Sequence, residues 1–207
     1  MFWERFFAKQ AGHPSGITSR IFVLGMNLVD GYVNRVTVQL LGINSTDRIL
    51  DIGFGGGVAI VEMTKQAHAG LVAGIEISDA MLKRGRKKFN KLISQGKVEL
   101  KEGSASQIPY PTGFFDKVST INCIYFWPDL VAGLKEVHRV LKNGGVFILS
   151  VVPKEQLEKF PPARHGYAIY SDSQLQDFLK GAGFVNIRTE HRKHRPFGAT
   201  FVIGSKA

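Results

Sequence analysis

Two hydrophobic periods divide this chain near residue 42. Before it, Ile21, Leu24, Leu28, Val29, Tyr32, Val33, Val36 and Leu40 recur with the 3.6-residue period of an amphipathic helix, and Thr18 or Ser19 stands where a cap belongs. From Arg48 onward, short apolar runs alternate with helical stretches, and strands are expected near 48–52, 71–76, 97–102, 115–121, 145–152, 184–191 and 199–205. Strands alternating with helices call for a largely parallel sheet covered on both faces. The last two runs are joined by too few residues for a crossover helix, so they must be antiparallel neighbours. The expected fold class is α/β: a doubly wound, mostly parallel seven-stranded sheet with a C-terminal antiparallel hairpin. Residues 1–42 form an N-terminal helical lid on this reading, and 43–207 a single compact unit.

Punctuation along the chain supports these elements. Ser78 can cap the helix that follows the second strand, and Pro128 suits the first turn of a helix reaching Leu141. Lys142-Asn143-Gly144-Gly145 is expected to end that helix through left-handed residues. Ser171-Asp172-Ser173-Gln174 reads as a capping box for a helix stopping at Gly181. At the N-terminus, Phe2, Trp3, Phe6 and Phe7 crowd a segment with Arg5 and Lys9, as in a terminal helix burying its aromatics or one touching a membrane interface. Gly12-His13-Pro14-Ser15-Gly16 breaks the chain as a loop.

The chemistry concentrates at two strand ends. Asp51-Ile52-Gly53-Phe54-Gly55-Gly56-Gly57 follows the apolar run Arg48-Ile49-Leu50, so a strand runs through glycines into a helix whose first N–H groups are open to a ligand. One helix and one strand later, Glu76 stands at the next strand tip, the position that takes ribose hydroxyls in βαβ nucleotide folds. The dinucleotide fingerprint G-x-G-x-x-G/A fails at Val58, whereas Asp51-x-Gly53-x-Gly55-x-Gly57 fits throughout and resembles motif I of the class I S-adenosylmethionine-dependent methyltransferases. The resemblance continues through Gly74-Ile75-Glu76-Ile77-Ser78, Gly103-Ser104-Ala105, Phe114-Phe115-Asp116-Lys117-Val118, the run from Glu136 to Gly145, and Gly181-Ala182-Gly183-Phe184. It implies the Rossmann-like methyltransferase fold and S-adenosylmethionine as cofactor. It also implies that Gly53, Phe54, Gly55 and Gly57 pass under the methionine part while Asp51 orders the loop and the ammonium end. Glu76 would hold the ribose hydroxyls, Ile77 would pack on adenine, and Ser104 with the Ala105 N–H would meet the adenine amino group.

After the fourth strand, Asn122-Cys123-Ile124-Tyr125-Phe126-Trp127 lies where this superfamily places its transfer face. The pair of prolines that follows Asn or Asp in DNA and protein amide methyltransferases is missing. The run more closely resembles small-molecule enzymes of the quinone, sterol and natural-product kind. Asn122 is then a candidate for the cofactor's amino-acid end. Tyr125, with Phe126 and Trp127, either lines an apolar acceptor pocket or packs a strand end. In-line methyl transfer needs proximity rather than a metal or a covalent residue. His165, in the Pro-rich insertion from Lys154 to Tyr170 where the resemblance implies a substrate lid, is with Tyr125 a candidate for the substrate pocket; it or His13 could serve as a base, but neither is assigned that role. Cys123 reads as a small buried hydrophobe.

Composition narrows the rest. The 207 residues, 44% of them hydrophobic, suffice for one core, and the single Cys123 cannot form an internal disulfide. With no secretory leader and no apolar run near the ~18 residues of a membrane span, a soluble cytoplasmic protein is expected. The net charge of +10 gathers at Lys83, Arg84, Arg86, Lys87, Lys88 and Lys91 and again at Arg188, His191, Arg192, Lys193, His194 and Arg195. Solvated faces account for both clusters, and Lys83, Lys87 and Lys91 share one helical stripe; a phosphate or anionic-lipid surface is the alternative. The leading expectation is methyl transfer to a small apolar or aromatic acceptor. A nucleic-acid methyltransferase and a non-catalytic cofactor-binding regulatory subunit are the alternatives, with an NAD-dependent oxidoreductase disfavoured by Val58 and the hairpin. Oligomeric state is open.

Overall fold

The computed structural model describes Glu4 and residues 31–207. Seven strands form one sheet in the order β3-β2-β1-β4-β5-β7-β6. They are β1 (Arg48–Ile52), β2 (Leu71–Glu76), β3 (Val98–Glu102), β4 (Phe115–Ile121), β5 (Leu141–Val151), β6 (Phe184–Arg192) and β7 (Ala199–Lys206). Strands β1 to β5 pair in parallel, and β7 pairs antiparallel with both β5 and β6. The terminal hairpin read from the short connection is therefore present.

Alternate side chains of each strand enter opposite cores, which is why the strands read as nearly continuous apolar runs. Ile49, Val72, Ile148, Phe201 and Ile203 face one side; Leu50, Ala73, Phe147, Leu149 and Val202 face the other. The first side is covered by a helix over residues 31–41 (α1), by α2 (Val58–Gln66) and by α3 (Asp79–Lys88), which the short α4 (Asn90–Ser94) follows. The second is covered by α5 (Leu130–Val140) and α7 (Asp172–Gly181), with the short α6 (Lys154–Leu157) in the insertion after β5.

The lid expected over 1–42 is part of the core where it is described. Val33, Val36, Val38 and Leu41 are buried, and the Thr37 hydroxyl lies 2.6 Å from that of Ser150 on β5. A lid can therefore concern only residues before 31. The cap at Thr18 or Ser19, the N-terminal aromatics, the loop at 12–16 and His13 lie outside the described residues.

Ser78 and Ser171 cap their helices as expected, the latter with both halves of a capping box. Two punctuation marks act differently. Asp129, not Pro128, caps α5, accepting from the Ala132 N–H, so the proline precedes the helix. The helix also ends at Val140, and Leu141 already pairs with Phe115 in the sheet. Gly144, with φ of 75°, therefore turns a bulge inside β5 rather than closing α5. Asp116 pins this region, accepting from the Arg48 N–H at 2.8 Å and the Lys142 ammonium at 2.7 Å.

Candidate active site

The chain runs outward from β1 to β2 and β3, then returns to place β4 on the other side of β1. Ligands of open α/β sheets bind at the carboxyl ends beside such a switch point. The glycine loop, Glu76, Asn122 and Cys123 all lie there, on the ends of β1, β2 and β4.

Three of the loop glycines have separate reasons. A Cβ on Gly53 would stand 2.3 Å from the Cys123 sulfur, so the loop lies directly against the residue after Asn122. One on Gly57 would meet the Phe89 ring at 2.6 Å. Gly55 is different: its φ is 48°, and the nearest atom to an added Cβ is 3.9 Å away. This is the open stretch of backbone, where left-handed geometry rather than crowding requires glycine. Phe54 turns the other way. Its side chain is buried against the positions where Gly74 and Gly85 would carry Cβ atoms, at 2.8 Å from each. The expected Phe54 contact with a cofactor thus narrows to its backbone.

Glu76 is buried, and its carboxylate accepts from the Gly55 N–H at 3.1 Å and the Ser78 N–H at 3.0 Å. Asp51 sits deeper, with the Ser119 hydroxyl donating to it at 2.7 Å from the register position opposite on β4. Burial, opposed by that hydrogen bond and reinforced by the charge of Glu76, pushes the Asp51 carboxyl up to about 7. Two acids beside a backbone loop suit a ligand that carries both hydroxyls and a positive charge.

Ser104 lies beyond β3, where its hydroxyl accepts from the Ser106 N–H at 3.2 Å; Ala105 is buried, and Ile77 is exposed at the rim. The Ser106 hydroxyl is buried without a hydrogen-bond partner among the described residues. The buried Trp127 indole N–H likewise makes no hydrogen bond of good geometry, although it lies close enough to the Cys123 thiol to favour its ionised form. Burial and the charge of Glu76 outweigh that effect and push the thiol up to about 12, so Cys123 is no thiolate nucleophile.

Asn122, with φ of 51°, is a left-handed non-glycine residue at the tip of β4. Tyr125 is buried in the core, and its hydroxyl accepts from the Val152 N–H at 2.6 Å while facing the Asn122 side chain at 3.3 Å. The ring packs at the strand end, and its hydroxyl sits on two residues, Asn122 and Val152, that border the recess described below. His165 lies 3.1 Å from Glu4 and holds that exposed carboxyl below its usual range. Asn122 also borders a recess with about 20 Å³ of free volume, walled by Val33, Val151, Val152, His194, Phe197 and Ala199. His194 stacks on Tyr32 with ring centroids 4.3 Å apart.

Sequence reasoning missed Ser119, Lys88 and the wall formed by His194 and Phe197. Lys88 belongs to the first basic cluster, expected as a solvated face, yet its ammonium donates to the Gly56 carbonyl at 2.8 Å and to that of Gly57 at 3.5 Å. Only Ser119 carried a usable signal, through its place on the strand paired with β1.

Residues 50–149 match the model of a methyltransferase domain family. Over 164 residues the chain is 32% identical to the uncharacterized methyltransferase YdaC of Bacillus subtilis, spanning 79% of this chain and 86% of that protein. The chain belongs to the class I S-adenosylmethionine-dependent methyltransferases. It is also 30% identical over 152 residues to the ubiquinone/menaquinone biosynthesis C-methyltransferase UbiE of a Geobacter species, covering 73% of this chain but 63% of that protein. A SAM-dependent methyltransferase of Thermotoga maritima shares the fold across 99% of this chain and all of its own, with a TM-score of 0.72 at 20% identity.

Proposed function

We propose that this methyltransferase passes the methyl group of S-adenosylmethionine to a small apolar or aromatic acceptor by in-line displacement. The observation that carries the acceptor class is the recess beside Asn122, whose walls are mainly valine, alanine and phenylalanine. It adjoins the glycine loop through the contact of Cys123 with Gly53. Relatives named for quinone methylation support a ring-shaped acceptor.

The residues at the switch point fit the cofactor. Gly55 leaves backbone open, and the Ser106 hydroxyl is buried with no partner among the described residues. When bound, the cofactor supplies an electrophilic methyl on a sulfonium sulfur. Glu76 would take the ribose hydroxyls, giving up its bond to Gly55, and Asp51 would ionise against the ammonium group. Gly53, Gly55, Gly57 and the Phe54 backbone would border the methionine part, with Asn122 at its amino-acid end. Ile77, Ser104 and Ala105 would surround the adenine.

The recess has room for about one water molecule. Admitting a ring therefore requires the β6–β7 connection, which carries His194 and Phe197, to move. Such closure would exclude water from the transfer.

Incubation with methyl-labelled cofactor and fractionated cell extract, followed by a panel of quinols and phenols, tests the proposal. Label in small apolar molecules supports it; label in RNA, DNA or protein alone refutes it. The basic clusters favour nucleic acid less than their number suggests. Lys83 pairs with Asp79 at 2.7 Å, Arg192 with Glu190 at 2.6 Å, and His191 lies 3.3 Å from Asp172. No helix among the described residues is long and apolar enough to cross a membrane.

A further inference from the structure

The glycine loop poses a physical problem that its own residues do not solve. Gly53, Gly55 and Gly57 have φ values of 72°, 48° and 68°, and chains of glycine lose more freedom on being fixed than any other residue. Backbone bonds hold both ends, from the Gly53 N–H to the Ile75 carbonyl at 2.9 Å and from the Gly57 N–H to the Phe54 carbonyl at 2.7 Å. Among the described residues, the side chains bonded to the loop's backbone are those of Glu76 and Lys88. On the cofactor reading above, Glu76 turns to the ribose when the ligand arrives. Lys88 is then the side-chain tether that remains.

We propose that Lys88 is a positioning residue of the cofactor site, gripping the outer side of the glycine loop through the Gly56 and Gly57 carbonyls so that the loop keeps its ligand-receiving shape. A cation on the Gly56 carbonyl oxygen restrains the plane of the Gly56–Gly57 peptide, whose N–H closes the turn onto the Phe54 carbonyl, and so steadies the turn that leaves Gly55 open. Phe89, the next residue, completes the grip: its ring fills the space under Gly57 and prevents the loop from sagging toward α3. Lys88 is an exposed residue, but its ammonium is set against the loop, and partial burial holds it below its usual value. Its neighbours differ. Lys83 is engaged by Asp79 on its own helix, and Lys87 is exposed without a bond to the loop.

The test is calorimetric titration of the full chain with S-adenosylhomocysteine, together with thermal melting of the ligand-free protein. Lys88→Met should weaken binding about three- to ten-fold, the worth of one net hydrogen bond at a part-exposed site, and leave the melting temperature nearly unchanged. Lys88→Arg, which keeps a cationic donor, should recover most of the affinity, and Lys87→Met should behave as wild type. An unchanged affinity in Lys88→Met overturns the inference. So does an equal loss in Lys87→Met, which would mean a general charge effect, or a lowered melting temperature with intact affinity, which would mean a structural role alone. Should the wild-type protein not bind the ligand, the cofactor reading itself fails and takes this inference with it, a result visible before any variant is made.

Discussion

Replacing Glu76 by alanine should do two separable things. In the ligand-free protein the carboxylate satisfies the N–H groups of Gly55 and Ser78, and Ser78 is 1% exposed, so its amide would be left without water. Losing a hydrogen bond to a charged acceptor there costs about 1.5–3 kcal/mol, and the Gly55 bond, at the edge of the cleft, adds on the order of 0.5–1. For a chain of this size each kcal/mol lowers the melting temperature by about 2–4 °C, which gives a drop of roughly 4–16 °C. Removing the charge also relieves its repulsion of Asp51, so the lower half of that range is expected. Binding of S-adenosylhomocysteine should weaken by about 1.5–3 kcal/mol, or roughly ten- to 150-fold, through loss of the ribose partner. Scanning calorimetry reads the first effect and titration calorimetry the second. A lowered melting temperature with unchanged affinity would refute the ribose assignment and leave Glu76 as a brace for the loop. Unchanged melting would refute the importance of the Gly55 and Ser78 bonds.

Other consequences follow from the same geometry. With its carboxyl raised to about 7 from 3.8, Asp51 holds a proton in the folded protein that the unfolded chain has released, so ligand-free stability should fall as pH rises from about 4 to about 7; pH-dependent melting should show Asp51→Asn losing that slope. Affinity for the ammonium-bearing ligand should rise over the upper part of this range in the wild type and stay flat in Asp51→Asn, as titrations at several pH values would show. Gly55→Val should abolish ligand binding while the chain still folds, because the space is open but the φ of 48° strains a branched residue by about 1–2 kcal/mol; retained binding would refute the loop assignment. Gly53→Ala should destabilise by driving a Cβ into the Cys123 sulfur, and adding Cys123→Gly should restore part of the loss; strictly additive melting shifts would argue against that contact.

The fold was legible because its signal is periodic. Runs such as Ile49-Leu50 and Phe147-Ile148-Leu149 feed two cores on opposite faces, and each strand was locatable to within a residue or two except β5. There the start was missed by four residues, since glycines in a bulge and glycines closing a helix look alike in sequence. The glycine loop and Glu76 were equally visible, because their spacing is local. What sequence could not supply was direction and long-range company. Phe54 faces inward although its neighbours frame an open loop, the Tyr125 hydroxyl is taken up by the Val152 backbone, and Lys88 reaches back 32 residues while the exposed Lys87 beside it makes no such bond. The wall supplied by the β6–β7 connection comes from more than 70 residues beyond Asn122 in the chain, a distance that no motif spans.

The burial of Phe54 ties together positions that no motif joins. Its ring occupies the volume that side chains at 74 and 85 would need, with Leu100 crowding the same space from β3. These sites should therefore vary as a set among relatives: where an aromatic stands at 54, residues 74 and 85 should stay minimal, and where 54 shrinks, one of them should be free to grow. Part of the apparent signature of ligand binding, Gly74 included, would then be a record of packing, inherited along with one phenylalanine.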